Sequence, residues 1–120
     1  MEYITALISP FFLLLIEKFI PIPYAVEELF KFYLAKKADN TKTAIILGLL
    51  FSISESIFYV FNPSYILNPL LFVARLTLVS AMHITTTLVM YYFLKKRNLW
   101  SIGLILAMII HYYFNAYNSI

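Results

Sequence analysis

Nearly every apolar stretch of this chain carries ionisable or amide side chains that a lipid-facing helix should exclude. Glu27, Glu28 and Lys31 fall in the second stretch, Glu55 in the third, Arg75 and His83 in the fourth, and His111 with Asn115 in the last. A charge near the centre of a bilayer costs roughly 2.5 to 3.5 kcal/mol even on lenient insertion scales, so such residues point to a functional site facing a bundle interior. Composition sets the solvent. The chain is 62% hydrophobic and 12% charged, with a mean hydropathy of +0.84, whereas soluble domains run about 25% charged. The expectation is all-α: a polytopic transmembrane helix bundle of about five helical segments with no soluble domain, residues 1–120 forming one membrane-embedded domain.

The segments are predicted at about 3–20, 24–37, 43–61, 69–94 and 99–117. Pro21-Ile22-Pro23 breaks the first from the second, Asn62-Pro63-Ser64 ends the third, and Lys95-Lys96-Arg97 ends the fourth. The first lacks the basic leader and small-residue cleavage site of a signal peptide and reads as a spanning helix. The second is short and carries three charges, so it is expected to enter only as a hairpin or re-entrant element whose polar side is covered by protein. The other four approach the roughly 20 residues needed to cross about 30 Å of hydrocarbon. If every segment crosses, the basic clusters Lys36 to Lys42 and Lys95 to Arg97 share one side. The positive-inside rule makes that side cytoplasmic, predicting a multi-pass cell-membrane protein with a cytoplasmic N-terminus. The basic residues form no stripe along one helical face, and no nucleic-acid partner is expected. The chain has no cysteine, which excludes disulfides and thiolate chemistry.

Residues that cooperate chemically must meet at one depth. At about 1.5 Å per residue from the basic clusters, Glu28 lies roughly 13 Å in, Glu55 and His111 roughly 20 Å, and His83 roughly 18 Å. Arg75 comes out roughly 30 Å in, near the far surface, and reads as an interfacial anchor held apart from the site. Glu27 and Glu28 precede Lys31 by four and three residues, placing a cation beside the carboxylates on one helical face. Lys31 is thus expected to support the glutamate pair. His111 and Asn115 stack one turn apart, as do His83 and Thr87.

A carboxylate can take a proton from water, a second polar group can orient it, and imidazole or amide donors can stabilise the oxyanion of a tetrahedral intermediate. That set suits peptide-bond hydrolysis. The same residues offer a divalent metal such as zinc two histidines and a carboxylate, with Glu55, His83 and His111 as the ligands of a metal-dependent version. The spacing leaves both mechanisms open, with no cofactor required by the first. The His-Glu-x-x-His helix of zinc proteases is absent, and no Gly-x-Ser-Gly precedes the serines.

Glu27-Glu28-Leu29-Phe30-Lys31 matches an E-E-x-x-K signature, Phe51-Ser52-Ile53-Ser54-Glu55 matches F-x-x-x-E, and His83 and His111-Tyr112-Tyr113-Phe114-Asn115 supply two histidine motifs in order. In this the chain resembles the PrsW-type intramembrane proteases, relatives of the CAAX prenyl proteases and bacteriocin-processing enzymes. The resemblance covers about residues 24–117. It implies a hydrolase, an intramembrane endopeptidase of glutamic or metal-dependent type, acting on a membrane or membrane-proximal protein within the lipid bilayer. Glu27 or Glu28 would activate water, Glu55 and His83 would orient it or share the proton, and His111 with Asn115 would hold the oxyanion. The chain has fewer segments than many members of that family, and a homo-oligomer would supply the missing enclosure. Two other classes are weighed beside it: a non-catalytic membrane binding or scaffold protein, and a proton- or ion-coupled carrier subunit, since buried Glu and His chains also make proton relays.

Overall fold

The computed structural model describes residues 1–118 of the chain. Six helices form in order: α1 (Glu2–Glu17), α2 (Pro23–Lys37), α3 (Thr41–Ile57), α4 (Pro63–Leu67), α5 (Pro69–Lys95) and α6 (Trp100–Asn118). Their ends follow local chemistry. Pro23, Pro63 and Pro69 each open a helix, where the missing N–H is not needed. Asn40 caps α3, accepting the Thr43 N–H at 2.9 Å.

The expected polytopic bundle of about five segments is corrected here. Among the described residues only α5 is long and apolar enough to cross a membrane. The apolar runs outlast the helices built from them. α1 stops at Glu17 after 16 residues and α3 at Ile57 after 17, lengths of about 24 to 26 Å against a core of about 30 Å. Phe58 to Phe61 unwind into turns, and after the Asn62 cap the chain forms the separate short helix α4. α6 has 19 residues, but His111, Asn115 and Asn118 dilute its apolar character.

The helices wrap around α5, which packs on α3, α6 and α2, while α1 closes over α3 and α2. Two glycines set the closest approaches. A Cβ on Gly48 would stand 2.8 Å from the Cα of Ile84 and 2.9 Å from the carbonyl of His83, and one on Gly103 would stand 2.8 Å from the Cβ of Phe93. Backbone touching backbone at Gly48 seats α3 on α5 beside His83, and Ser52 Oγ meets Ser80 Oγ at 2.7 Å one turn further along. The core gathers Ala6, Leu34, Ala35, Ala44, Leu47, Phe51, Met90 and Ala107. Pro10 interrupts the hydrogen-bond ladder of α1, and in the same stretch Ser54 Oγ donates to the Leu7 carbonyl, tying α3 to α1.

Many large apolar side chains lie on the outside. Phe12 is 63% exposed, Leu70 75% and Phe61 80%, with many others on α1, α5 and α6. An apolar exterior of that extent is a surface for lipid or for protein partners.

Candidate active site

Four helices bring their polar residues to one level in the interior. α2 contributes Glu27, Glu28 and Lys31, α3 contributes Glu55, α5 contributes His83, and α6 contributes His111 and Asn115. Thr86 and Thr87 complete the wall on α5, Thr87 Oγ1 donating back to the His83 carbonyl at 2.7 Å, the helical bond that Thr side chains favour.

Lys31 ties this set together. Its ammonium is 2.5 Å from Glu28 Oε1, 2.9 Å from His83 Nδ1 and 2.6 Å from Thr86 Oγ1, so all three N–H donors are engaged. The contact with His83 fixes a tautomer. An ammonium only donates, so Nδ1 accepts, and Nε2 carries the hydrogen it donates to Glu55 Oε2 at 2.5 Å. Glu28 Oε1 takes a second bond from His111 Nδ1 at 2.6 Å. That leaves Nε2 of a neutral His111 as an acceptor, 3.7 Å from Glu27 Oε2. The two imidazoles meet edge to face with centroids 5.6 Å apart.

The paired glutamates divide. Glu28 is fully buried between Lys31 and His111. Burial raises its affinity for a proton, but the Lys31 charge and the His111 hydrogen bond outweigh that and leave its carboxyl below the ordinary range. Glu27 turns the other way, toward Glu17 and Glu55. Burial first, then the charges of Glu55 and Glu17, push its carboxyl well above the ordinary value, and its Oε2 has no hydrogen-bond partner. Burial also opposes the charge on Glu55, yet the hydrogen bond from His83 prevails and holds that carboxyl low. Three nearby carboxylates therefore differ in proton affinity because their neighbours differ.

Glu17, Glu27, Glu55, Tyr59, His111 and Asn115 line a cavity of about 150 Å³. A second void of about 10 Å³ lies against Pro10, Glu17, Glu27, Phe51 and Glu55, about the room one water requires. Glu28, Lys31 and His83 line neither.

All the residues expected at the site are here, in two layers: Glu27, Glu55, His111 and Asn115 on the cavity, and Glu28, Lys31 and His83 behind it. Two residues were missed. Glu17 lines both voids; its only signal in the sequence was a charge beside the proline breaker, which equally suits a helix end. Arg75 is no interfacial anchor. It is 6% exposed, its guanidinium lies 3.6 Å over the Tyr59 ring, and Nη2 is 3.7 Å from Glu55 Oε1. Depth along one helix could not reveal that Glu55 on α3 and Tyr59 in the turn that follows it come to meet it.

For a metal, the donors that gather are Glu27, Glu55 and His83, with one ligand atom each within 4.8 Å of the others, whereas His111 is turned to Glu28. The surroundings of His83 do not fit such a ligand. A metal-bound histidine donates its other N–H to an acceptor, but Nδ1 here faces the Lys31 ammonium, itself only a donor. No family model matches this chain, and neither a curated protein nor a solved structure matches it significantly.

Proposed function

We propose that the chain is a glutamate-dependent endopeptidase, with Glu27 as the base that activates water. The observation that supports this reading most is a single one. Glu27 has an unpartnered carboxylate oxygen, a raised proton affinity, and a place on both the larger cavity and the adjoining water-sized void. A general base works best when its proton affinity is tuned toward the working pH, and burial beside like charges does that for a carboxylate.

In the proposed reaction ionised Glu27 removes a proton from water, the water oxygen adds to the scissile carbonyl, and the proton passes to the leaving amine as the C–N bond breaks. The Asn115 amide is the oxyanion donor on the cavity wall. His111 has spent Nδ1–H on Glu28, so its Nε2 serves Glu27 as a proton acceptor rather than the oxyanion as a donor. Glu55, held by His83, orients the water from the other side. Glu28 and Lys31 hold the histidines in their tautomers.

The substrate is proposed to be a segment of a membrane or membrane-proximal protein. Support comes from the apolar exterior and from α5 as a helix able to cross a bilayer. The test is to reconstitute the purified chain with a fluorogenic model transmembrane peptide and compare it with Glu27→Gln, Glu55→Gln and His111→Ala. Cleavage by wild type that each change lowers by about 10²-fold or more is the expected result. Absence of cleavage, or cleavage indifferent to all three changes, overturns the reading.

A further inference from the structure

Arg75 presents a chemical problem that the hydrolytic residues do not solve. It is 6% exposed, yet Nε and Nη2 have no hydrogen-bond partner, and among the described residues the guanidinium donates no hydrogen bond at all. Glu55 neutralises it only from 3.7 Å, beyond hydrogen-bond range, because Glu55 Oε2 is drawn to His83. A buried guanidinium has five donors to satisfy, and leaving them unmet is costly.

The surroundings show where a partner would come from. Arg75 lines a cleft of about 390 Å³ whose other polar side chains are Asn62, Ser64, Tyr65 and Asn118. Tyr59 lines the hydrolytic cavity. Since Arg75 stacks on Tyr59 at 3.6 Å, this pair is the shared wall of the two spaces. Stacking restricts the tilt of the guanidinium; Nε and Nη2 are closed off from solvent, and Nη1 is the unbonded nitrogen left to meet an anion from the cleft. No acidic residue lines the cleft, so an incoming anion would meet only Glu55, across the guanidinium.

We infer that Arg75 is the anchor of a carboxylate subsite, and that the polypeptide bound at the hydrolytic cavity carries a carboxylate that crosses the Tyr59–Arg75 wall into this cleft. This rests on the peptidase reading for the nature of its ligand. A carboxylate on the far side of the guanidinium lies on the order of 7 to 10 Å from Glu55, two or three residues of extended chain. The carboxylate is therefore an acidic side chain or a chain terminus near the scissile bond, with Asn62, Ser64 and Asn118 completing its donors.

The experiment measures binding, so that it does not depend on turnover. The full chain, in lipid nanodiscs, is titrated with three apolar decapeptides labelled at the N-terminus and followed by fluorescence anisotropy: an amidated one with an internal Glu, an amidated one with Gln at that place, and the Gln peptide with a free C-terminus, the amidated Gln peptide being the uncharged twin of both others. Binding at least about tenfold tighter for a carboxylate peptide than for its uncharged twin is expected, the usual worth of a charge-assisted hydrogen bond. The internal pair and the terminal pair tell which carboxylate is read. In Arg75→Gln that preference should fall to within about twofold, while Arg75→Lys retains part of it. Equal binding of charged and uncharged peptides by wild type overturns the inference without recourse to any variant, so a misfolded Arg75→Gln does not protect it. A preference that survives in a folded Arg75→Gln also overturns it, as does Arg75-dependent binding of phosphatidylglycerol without peptide discrimination. Peptides cleaved without discrimination would remove the subsite and leave the peptidase; discrimination without cleavage would remove the peptidase and leave a carboxylate-binding protein.

Discussion

Lys31 Nζ lies 2.9 Å from His83 Nδ1, and this one contact decides which nitrogen of the histidine carries hydrogen and therefore what Glu55 receives. Lys31 also neutralises Glu28 and engages Thr86. Replacing it with Met leaves Glu28 buried and ionised without its cation. Breaking a buried pair from one side typically costs about 3 to 5 kcal/mol. Denaturant melts of Lys31→Met should show a loss of that order, and Lys31→Met with Glu28→Gln should recover a large part of it. A double variant no more stable than the single one would show that the pair is not what Lys31 supports.

Glu27 and Glu28 are neighbours in sequence with opposite duties. Glu27→Gln should lower peptide cleavage by about 10²- to 10⁴-fold, the range for loss of a general base, while the fold persists. Glu28→Gln should act chiefly through stability, since its carboxylate is the common acceptor of Lys31 and His111. Cleavage rates measured beside thermal melts separate the two. The reverse pattern would place the base on Glu28.

Proton affinity at Glu27 carries a signed prediction. Because the folded carboxyl is raised above its ordinary value of 4.5, the folded state holds a proton that the unfolded chain has released. Stability therefore declines as pH rises through the interval above 4.5, and Glu27→Gln, which cannot ionise, should melt higher than wild type at neutral pH. Activity runs the opposite way: the ionised base is needed, so kcat/KM should climb with pH along an acid limb lying above the ordinary carboxylate range. Removing a like charge with Glu17→Gln should move that limb to lower pH. An unmoved limb would exclude Glu17 as a neighbour that matters.

Gly48 should tolerate little. A Cβ there meets the Ile84 Cα at 2.8 Å and the His83 carbonyl at 2.9 Å, both backbone atoms that cannot rotate away. Gly48→Val should cost at least about 1 to 3 kcal/mol as overpacking, and by lifting α3 from α5 it should loosen Glu55 from His83 and reduce cleavage further than the stability loss explains. Ala at Gly103, which would meet the Phe93 Cβ at 2.8 Å and the Met90 Cα at 3.3 Å, should also cost stability, and it provides the comparison at a contact that does not involve His83.

A chelator should leave the proposed peptidase active. The Lys31 ammonium on Nδ1 makes His83 a poor metal ligand. Activity lost with phenanthroline and restored by zinc would restore the metal-dependent reading, with Glu27, Glu55 and His83 as its donors.

Much of the site was legible along the chain. Glu27, Glu28, Lys31, Glu55, His83, His111 and Asn115 stand out because an ionisable or amide group in an apolar run is costly wherever the run folds, and helical spacing already paired Glu28 with Lys31. The helix positions were legible for a similar reason, since prolines and basic clusters punctuate the apolar runs. Helix lengths were not. Hydropathy reports where residues are apolar, not where the backbone unwinds, so Phe58 to Phe61 read as continuous with α3 although they turn away from it.

Sequence alone determined the composition of the interior: an all-helical chain whose few polar residues must find one another, because each carries an energetic cost that only a partner can offset. Tertiary structure alone decided who partners whom. It turned Glu28 inward to Lys31 and His111 and left Glu27 on the cavity, drew Glu17 in from α1, and moved Arg75 from the periphery to the wall beside Glu55. The physical reason is that one-dimensional spacing specifies depth and face on a single helix. Contact between helices depends on how closely their backbones approach, and here that distance is set by the absence of a side chain at Gly48.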